Sequence, residues 1–240
     1  MQNQTVLITG ATAGIGEACA RRFAQLGARL ILTGRREARL NALRAELGEG
    51  RVHCLAFDMT DKAQLSRAVE SLPPDFQEVT VLVNNAGTMV IGETILEIEP
   101  ARWDQAVASN VRGPYLVCRA ILPGMMEQRR GSIINIGSRM GNDPKLGGGV
   151  LYSSSKAALH MFSFCLADEV REYNIAVNIL SPGALKSEGS AALPWAQHDW
   201  HERVDPEVVG PSAVYLGLQD ARSFTGQLVS RAEFGKTWGL

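Results

Sequence analysis

The sequence is poor in the features that mark several large classes of protein. Its 24 lysines and arginines nearly balance 25 aspartates and glutamates, so the formal net charge is −1 and no basic field would hold nucleic acid or an anionic membrane. No apolar run approaches the roughly 20 residues that a membrane-spanning helix needs. The first residues also lack the basic and apolar regions of a signal peptide. We therefore expect a cytoplasmic protein with neither nucleic acid nor membrane as a partner.

Cysteine is scarce as well, and its spacing argues against a metal site. The four cysteines form no CxxC pair and have no metal-ligand spacing with the four histidines. We predict that no metal is bound. The cysteines lie in apolar or helical surroundings and are interpreted as buried, reduced thiols. They are Cys19, Cys54, Cys118 and Cys165.

The chain does contain a regular alternation of apolar and amphipathic segments. Strands are predicted at 5–10, 29–34, 52–58, 79–87, 131–138, 175–183 and 226–231, and the main helices at 16–27, 36–48, 61–72, 101–128, 152–173 and 206–219. Strands that are apolar on both faces and joined by helices indicate a parallel sheet covered on both sides. We predict an α/β, Rossmann-type doubly wound fold of about seven strands, in a single domain over residues 1–240.

The segment 184–205 interrupts this alternation. It follows the sixth strand and mixes small residues with Trp195 and Trp200. Ligands of open α/β sheets bind beyond the carboxyl ends of the strands, and long irregular segments are often functional. We predict a substrate-binding lid here. The alternative is a surface helix whose tryptophans pack on the core or on another subunit.

A glycine-rich turn, TGATAGIG at 9–16, joins the first strand to the first helix. Gly10 permits a tight turn, Gly14 lets the backbone approach a pyrophosphate, and Gly16 allows close helix–strand packing. The N-terminus of the helix supplies unpaired N–H groups and the positive end of the helix dipole. The turn therefore predicts a dinucleotide site.

The end of the second strand indicates which dinucleotide is bound. An acidic residue there would bind the ribose 2′-hydroxyl, whereas an arginine accommodates a 2′-phosphate. The sequence has Arg35 and Arg36 at this point and no acid. Arg35 can fork onto the phosphate while Arg36 adds to the positive field. This pattern favours NADP(H) over NAD(H), although both arginines could instead begin a solvated, charged helix.

Seven motifs in a fixed order resemble those of the short-chain dehydrogenase/reductase family over nearly the whole chain. They are TGxxxGxG at 9–16, Asp58, NNAG at 84–87, Asn110, Ser138, YxxxK at 152–156 and Pro-Gly at 182–183. The segments TGRR, LPGM and IINIGS are similar to the NADP-dependent 3-hydroxy acid dehydrogenase branch, a likeness that fades after residue 184. The resemblance implies an oxidoreductase that transfers a hydride between a nicotinamide and a secondary alcohol or ketone.

The resemblance also implies the catalytic roles. Tyr152 would be the general acid/base for the substrate oxygen, and Lys156, one helical turn away, would lower its pKa by its positive charge. Ser138 would hydrogen-bond the substrate oxygen and stabilise developing negative charge. Asn110 would hold a water that links Lys156 to solvent.

The contacts with the nucleotide are carried over in the same way. Thr12, Ala13 and Ile15 fall in the pyrophosphate turn, and Asp58 belongs at the adenine unless it only caps the helix that follows. The other assigned contacts are Met59 at the adenine, the backbone of Asn85, Ala86 and Gly87 along the adenosine, Pro182 and Gly183 at the nicotinamide, Ser187 where the family often has threonine, and Tyr152 and Lys156 beside the ribose.

Substrate and partners are less constrained by the residues. Arg139 and Lys145 would suit a substrate carboxylate or could point to solvent, so a 3-hydroxy acid, a neutral ketone and a 3-oxoacyl thioester all stay open. A regulator that senses nucleotide without catalysis is the alternative from another class. The resemblance further implies a homodimer or homotetramer built through the helices at 101–128 and 152–173.

Overall fold

One parallel sheet runs through the part of the chain that the computed structural model describes, residues 1–193 and 197–239. Its seven strands there lie in the order β3-β2-β1-β4-β5-β6-β7. They are β1 Thr5–Thr9, β2 Arg29–Gly34, β3 Val52–Ala56, β4 Val81–Asn84, β5 Gly131–Ile136, β6 Ile175–Ser181 and β7 Leu228–Ser230. The predicted fold class and strand number are confirmed.

Helices connect the strands and cover both faces of the sheet. Those described are α1 Gly14–Gln25, α2 Glu37–Leu47, α3 Lys62–Glu70, α4 Pro74–Gln77, α5 Pro100–Val107, α6 Gly113–Gln128, α7 Gly149–Glu169, α8 Glu188–Ala191 and α9 Gly210–Gly217. The helix predicted at 101–128 is divided, because a π-helical turn, Ala108–Arg112, separates α5 from α6. The helix predicted at 152–173 begins three residues earlier, at Gly149, and ends in a short 3₁₀ turn.

Alternate residues of the central strands pack into two separate hydrophobic cores. On β1, Val6 and Ile8 pack into a cluster with α1, α2 and α9, whereas Leu7 packs into a cluster with α3, α6 and α7. All three side chains are fully buried. The period-2 geometry of a strand sends successive side chains to opposite faces, so a strand covered on both faces is apolar along most of its length.

The strand order reverses between β1 and β4, and this reversal places the ends of both strands side by side. The Thr9 hydroxyl at the end of β1 accepts hydrogen bonds from the backbone N–H groups of Asn85 and Ala86, each at 3.0 Å. The Asn85 side chain donates back to the carbonyls of Thr9 and Gly10. In doubly wound folds such a switch point is where ligands bind.

The segment predicted as a lid contains helix α8 and a 3₁₀ turn, Trp200–Glu202. Its two ends are tied together, because Leu185 pairs with Val204 and the Lys186 N–H donates to the Val204 carbonyl at 2.9 Å. Trp195 lies outside the described residues. In the described chain, no helix is both long and apolar enough to span a membrane, and no group of three or more His, Cys, Asp or Glu residues is arranged for a metal ion.

The four cysteines are free thiols, but the prediction that all are buried is wrong. Cys19 and Cys118 are buried, Cys54 is half-buried, and Cys165 is exposed. Cys165 lies one turn after the exposed Met161 on α7 and therefore shares the outward face of that helix. Periodicity did not reveal this face because α7 is apolar almost all round.

Candidate active site

The glycine turn after β1 has the close backbone packing that a pyrophosphate-binding loop requires. Gly10 and Gly14 adopt left-handed φ values of 67° and 57°, which favour glycine. A Cβ at Gly16 would collide with the Gly10 carbonyl oxygen and would come within 2.6 Å of the Asn85 amide nitrogen. The turn can therefore present backbone N–H groups to an anion at the N-terminus of α1, and it fits a dinucleotide phosphate.

A cavity of about 570 Å³ opens from this turn along the ends of β1, β2, β3 and β4. Most of the predicted cofactor contacts line it: Gly10, Thr12, Ala13, Gly14, Ile15, Arg35, Arg36, Asp58, Met59, Asn85, Ala86, Gly87 and Ser187. Gly16 does not line the cavity but packs against Gly10 and Asn85, which do. Four other predicted contacts, Tyr152, Lys156, Pro182 and Gly183, do not line it. The cavity thus brings together the residues predicted for the adenosine and pyrophosphate half of a dinucleotide site.

The arginines at the end of β2 face this cavity. The Arg36 guanidinium donates twice to the Thr12 hydroxyl, at 2.7 Å and 3.1 Å, and once to the Thr12 carbonyl. Arg39 reaches the same carbonyl from the first turn of α2. Arg36 and Arg39 also form ion pairs with Glu188 of the predicted lid. Sequence reasoning did not identify Arg39 or Glu188, because nothing local connects α2 with α8.

Asp58 does not cap the helix that follows β3, so that alternative is wrong. Asp61 is the N-cap of α3 and accepts hydrogen bonds from the N–H groups of Ala63 and Gln64. Asp58 instead accepts from the backbone and hydroxyl of Thr60, at 2.9 Å and 2.8 Å. Its carboxylate is held at the cavity wall, where an adenine contact remains a prediction.

Asn110 lies in the π-helical turn and is buried. Its amide pairs with the backbone of Thr88, accepting from the N–H at 2.8 Å and donating to the carbonyl at 2.9 Å. It also donates to the Ser155 hydroxyl at 2.9 Å. Asn110 thus joins the NNAG loop to α7, while its predicted role in holding a water stays a prediction.

The other three predicted catalytic residues come together from β5 and α7. Ser138 follows the end of β5, and its hydroxyl accepts a hydrogen bond from the Met140 N–H at 3.2 Å. Lys156 is buried, with its Nζ 5.8 Å from the centroid of the Tyr152 ring. The Lys156 ammonium donates to the Ile136 carbonyl at 2.8 Å. An ammonium has three protons, so two remain for a ligand.

The pKa of Tyr152 departs from the expected direction. Burial raises it above the ordinary value, because the phenolate loses its hydration, and a hydrogen bond with Ser138 offsets only part of this effect. Burial also lowers the pKa of Lys156 to about 8. The predicted lowering of the Tyr152 pKa by Lys156 is therefore not found.

His160 is a buried member of this group that sequence reasoning missed. Its Nε2 accepts a hydrogen bond from the Ser138 N–H at 3.3 Å, and its Nδ1 lies 2.7 Å from Oδ1 of Asn142. Burial lowers the pKa of His160 to about 4, and the nearby charge of Lys156 adds to the effect. The available signal was a single histidine one turn after Lys156 in an otherwise apolar stretch.

The residues predicted to border the nicotinamide lie at the end of β6. The Pro182 carbonyl accepts a hydrogen bond from Nε of Arg231 at 3.1 Å, and Gly183 has a φ of 83°. Ser187 is the N-cap of α8, where its hydroxyl accepts from the Ser190 N–H. Ser187 lines the cavity while Pro182 and Gly183 stand apart from it.

A second cavity, of about 680 Å³, adjoins the first on the side of the NNAG loop. Gly87, Thr88 and Gly189 line both cavities, and Met89 and Val90 line the second alone. These are walls expected of a substrate pocket. Arg139 and Lys145 are exposed and line neither cavity, so their contact with a substrate carboxylate stays a prediction.

Comparisons with known proteins agree with this geometry. Residues 4–197 match the model of the short chain dehydrogenase family. The chain is 42% identical over 178 residues to the NADP-dependent 3-hydroxy acid dehydrogenase YdfG of Salmonella typhi, covering 74% of this chain and 71% of that one. It is 38% identical over 184 residues to serine 3-dehydrogenase of Agrobacterium fabrum, covering 77% and 73%. The structure also resembles the closed form of a serine dehydrogenase complexed with NADP+, with a TM-score of 0.86, 32% identity and coverage of 94% and 93%.

Proposed function

Because the chain belongs to the short chain dehydrogenase family and is an NAD(P)-dependent oxidoreductase acting on CH–OH groups, we propose that its cofactor is NADP(H) and that its substrate is a 3-hydroxy acid. In this proposal a hydride passes between the nicotinamide and the carbon that bears the secondary alcohol or ketone. The named activities of the 3-hydroxy acid and serine dehydrogenase relatives support this choice of substrate class.

The observation that carries the cofactor proposal is the basic end of the adenosine cavity. Arg35 and Arg36 line the cavity directly after β2, and Thr12 faces them from the glycine turn. No acidic residue stands at the end of β2 to bind a ribose 2′-hydroxyl. Two guanidinium groups and a hydroxyl make a suitable donor set for a 2′-phosphate, because arginine matches phosphate geometry with paired N–H groups.

Residues of α7 are proposed to transfer the proton of the reaction. Bound NADPH would supply the hydride and, once oxidised, a positive charge. Tyr152 holds the proton at its phenolic oxygen and transfers it to or from the substrate oxygen. Burial raises the pKa of Tyr152, which favours the protonated phenol. Lys156 supplies a fixed positive charge on the same helix face, which favours the phenolate when the proton leaves.

Ser138 and the surrounding backbone orient the substrate oxygen. The Ser138 hydroxyl is close enough to Tyr152 to affect its pKa, so both groups can meet one oxygen atom. Asn110 fixes the Thr88 backbone, which forms a wall shared by both cavities. The segment at 184–205 is proposed to cover the site and exclude water, because its residues Ser187 and Gly189 already line the nucleotide cavity.

The test is a titration of NADPH and of NADH into the purified protein, followed by nicotinamide fluorescence. We expect NADPH to bind at least tenfold more tightly, equivalent to about 1.4 kcal/mol. Arg35→Ala should remove most of that preference, whereas Arg171→Ala, at an exposed arginine after α7, should keep it. Equal binding of the two cofactors would contradict the NADP(H) proposal. Turnover of 3-hydroxy acids, neutral secondary alcohols and 3-oxoacyl thioesters is then compared to test the substrate class.

A further inference from the structure

An acidic side chain of the proposed lid holds the arginines of the adenosine cavity. Glu188 accepts from Arg36, with 2.6 Å between the guanidinium Nη1 and Oε2, while its second oxygen pairs with Arg39. Glu188 lies 152 and 149 residues away from these partners in the chain. The pair of bridges connects α8, at the start of the proposed lid, to the beginning of α2.

These bridges lie at the phosphate end of the cavity. Arg36 contacts Thr12 with the same guanidinium that meets Glu188, and Arg36, Thr12 and Glu188 all line the cavity. Hydrogen bonds from Arg36 and then Arg39 hold the pKa of Glu188 below its ordinary value, so the carboxylate is ionised at neutral pH. A negative charge therefore already holds Arg36, one of the two arginines proposed to receive a 2′-phosphate, together with its neighbour Arg39.

We propose that Glu188 is a specificity-determining residue that competes with the 2′-phosphate of NADP(H) for Arg36 and Arg39. The inference rests on the proposed NADP(H) dependence. Binding of the phosphate displaces the Glu188 carboxylate and so releases α8 from α2. A nucleotide without the 2′-phosphate leaves the two bridges in place.

The exchange is physically reasonable because the bridges are weak and the phosphate is a stronger ligand. The side chains of Glu188, Arg36 and Arg39 are about half exposed, and ion pairs in such positions contribute little and exchange readily. A phosphate monoester carries about −1.5 to −2 charge near pH 7 and three acceptor oxygens. A ligand shifts a conformational equilibrium only by its differential affinity for the two states, and the 2′-phosphate supplies that difference here.

A different role for Glu188 predicts a different result. If Glu188 only holds the lid closed over any nucleotide, its removal weakens the binding of every adenosine ligand equally. If it competes with the phosphate, its removal tightens binding of the 2′-phosphorylated ligand alone. The two roles therefore predict opposite changes in affinity for the 2′-phosphorylated ligand.

The experiment uses two probes that differ only in the 2′-phosphate, adenosine 2′,5′-bisphosphate and adenosine 5′-monophosphate. Each is titrated by calorimetry into the wild-type protein, Glu188→Gln and Asp205→Asn. Asp205 is the matched control, since it lies in the same segment and faces Lys186 at 3.8 Å rather than the arginines. Glu188→Asp, which keeps the charge but shortens its reach, is included as a second variant.

We expect Glu188→Gln to bind the bisphosphate at least threefold more tightly, with unchanged affinity for the monophosphate. The gain should diminish at high salt because screening weakens exposed charge pairs. Glu188→Asp should show part of the gain, and Asp205→Asn should show none. The inference is overturned if the wild-type protein prefers the bisphosphate but Glu188→Gln gains nothing, or changes equally for both probes. Equal binding of both probes by the wild-type protein would instead overturn the NADP(H) proposal, and this inference with it.

Discussion

The backbone N–H of Ser138 donates a hydrogen bond to the ring Nε2 of His160, at 3.3 Å. The opposite ring nitrogen lies 2.7 Å from the Asn142 side-chain oxygen, which assigns the proton to Nδ1. The ring also fills the space beside two glycines, because a Cβ at Gly137 or Gly141 would come within 2.7 Å or 2.8 Å of it. The helix that carries Tyr152 and Lys156 therefore also positions the backbone of Ser138.

We predict that His160→Leu lowers kcat by roughly tenfold, because the Ser138 N–H loses its acceptor and its hydroxyl is no longer held in place. NADPH affinity should be unchanged, since the ring nitrogens of His160 face Ser138 and Asn142, which are not among the predicted cofactor contacts. His160→Gln can restore an acceptor and should recover part of the lost kcat. Steady-state kinetics and NADPH titration check this. A loss of NADPH affinity equal to the loss of kcat would show that His160 serves only general stability.

Replacement of Tyr152 by phenylalanine tests the proton-transfer role directly. We expect kcat to fall by about 10² to 10⁴, the usual contribution of a general acid/base, while NADPH binding stays within about threefold. Tyr173→Phe, in the short turn after α7, is the matched control and should keep full activity. Activity retained in Tyr152→Phe would exclude Tyr152 as the acid/base, whereas binding without turnover in the wild-type protein would favour a regulator.

The buried ammonium of Lys156 should make stability depend on pH. Burial lowers its pKa from 10.5 to about 8. Between these pH values the unfolded chain binds more protons than the folded protein, so the free energy of unfolding rises with pH. Lys156→Met has no such group. Without cofactor, we expect the free energy of unfolding of Lys156→Met minus that of the wild-type protein to fall by up to about 3 kcal/mol between pH 8 and pH 10.5, at 1.36 kcal/mol per pKa unit.

Urea unfolding of the wild-type protein and Lys156→Met across this pH range measures the difference. Lys145→Met is the control at an exposed lysine and should show no comparable change. A wild-type to Lys156→Met difference that stays constant from pH 8 to pH 10.5 would mean that the ammonium is hydrated in solution.

The glycine turn gives a prediction about backbone packing. Gly16→Ala places a methyl group against the Gly10 carbonyl and the Asn85 amide, so we expect a loss of about 1–3 kcal/mol in stability and at least tenfold weaker NADPH binding. Gly50→Ala is the control, because nothing lies within 4 Å of its added Cβ. Thermal unfolding and NADPH titration report both effects. Normal cofactor affinity in Gly16→Ala would remove the turn from the binding site.

Subunit assembly through α6 and α7 stays a prediction that solution mass can test. Tyr115 on α6 and Met161 on α7 are 43% and 62% exposed in the single chain, which leaves apolar side chains on both helices uncovered. We expect a dimer or tetramer by light scattering, and we expect Met161→Glu to dissociate it. Leu218→Glu, at an exposed leucine just after α9, should leave the mass unchanged. A monomeric wild-type protein would contradict the interface.

The parts of the molecule that local sequence determines were predicted well. A strand buried on both faces is apolar along most of its length, and a pyrophosphate turn needs glycine where φ is positive, so both can be recognised from neighbouring residues. The order of motifs from the glycine turn to Tyr152 and Lys156 carried the family resemblance. Helix bounds were less well predicted. The π-helical turn that divides the helix at 101–128 contains Asn110, which hydrogen-bonds to Thr88, a residue distant in the chain.

Properties that depend on distant residues were decided only by the tertiary structure. The pKa of Tyr152 rises rather than falls because burial, which the sequence does not specify, outweighs the hydrogen bond with Ser138. The bridges from Glu188 to Arg36 and Arg39, and the bond from His160 to the Ser138 backbone, join segments with no pattern in common. Sequence periodicity reports which face of an element is buried, whereas the pairing of charges and hydrogen bonds requires the positions of both partners in space.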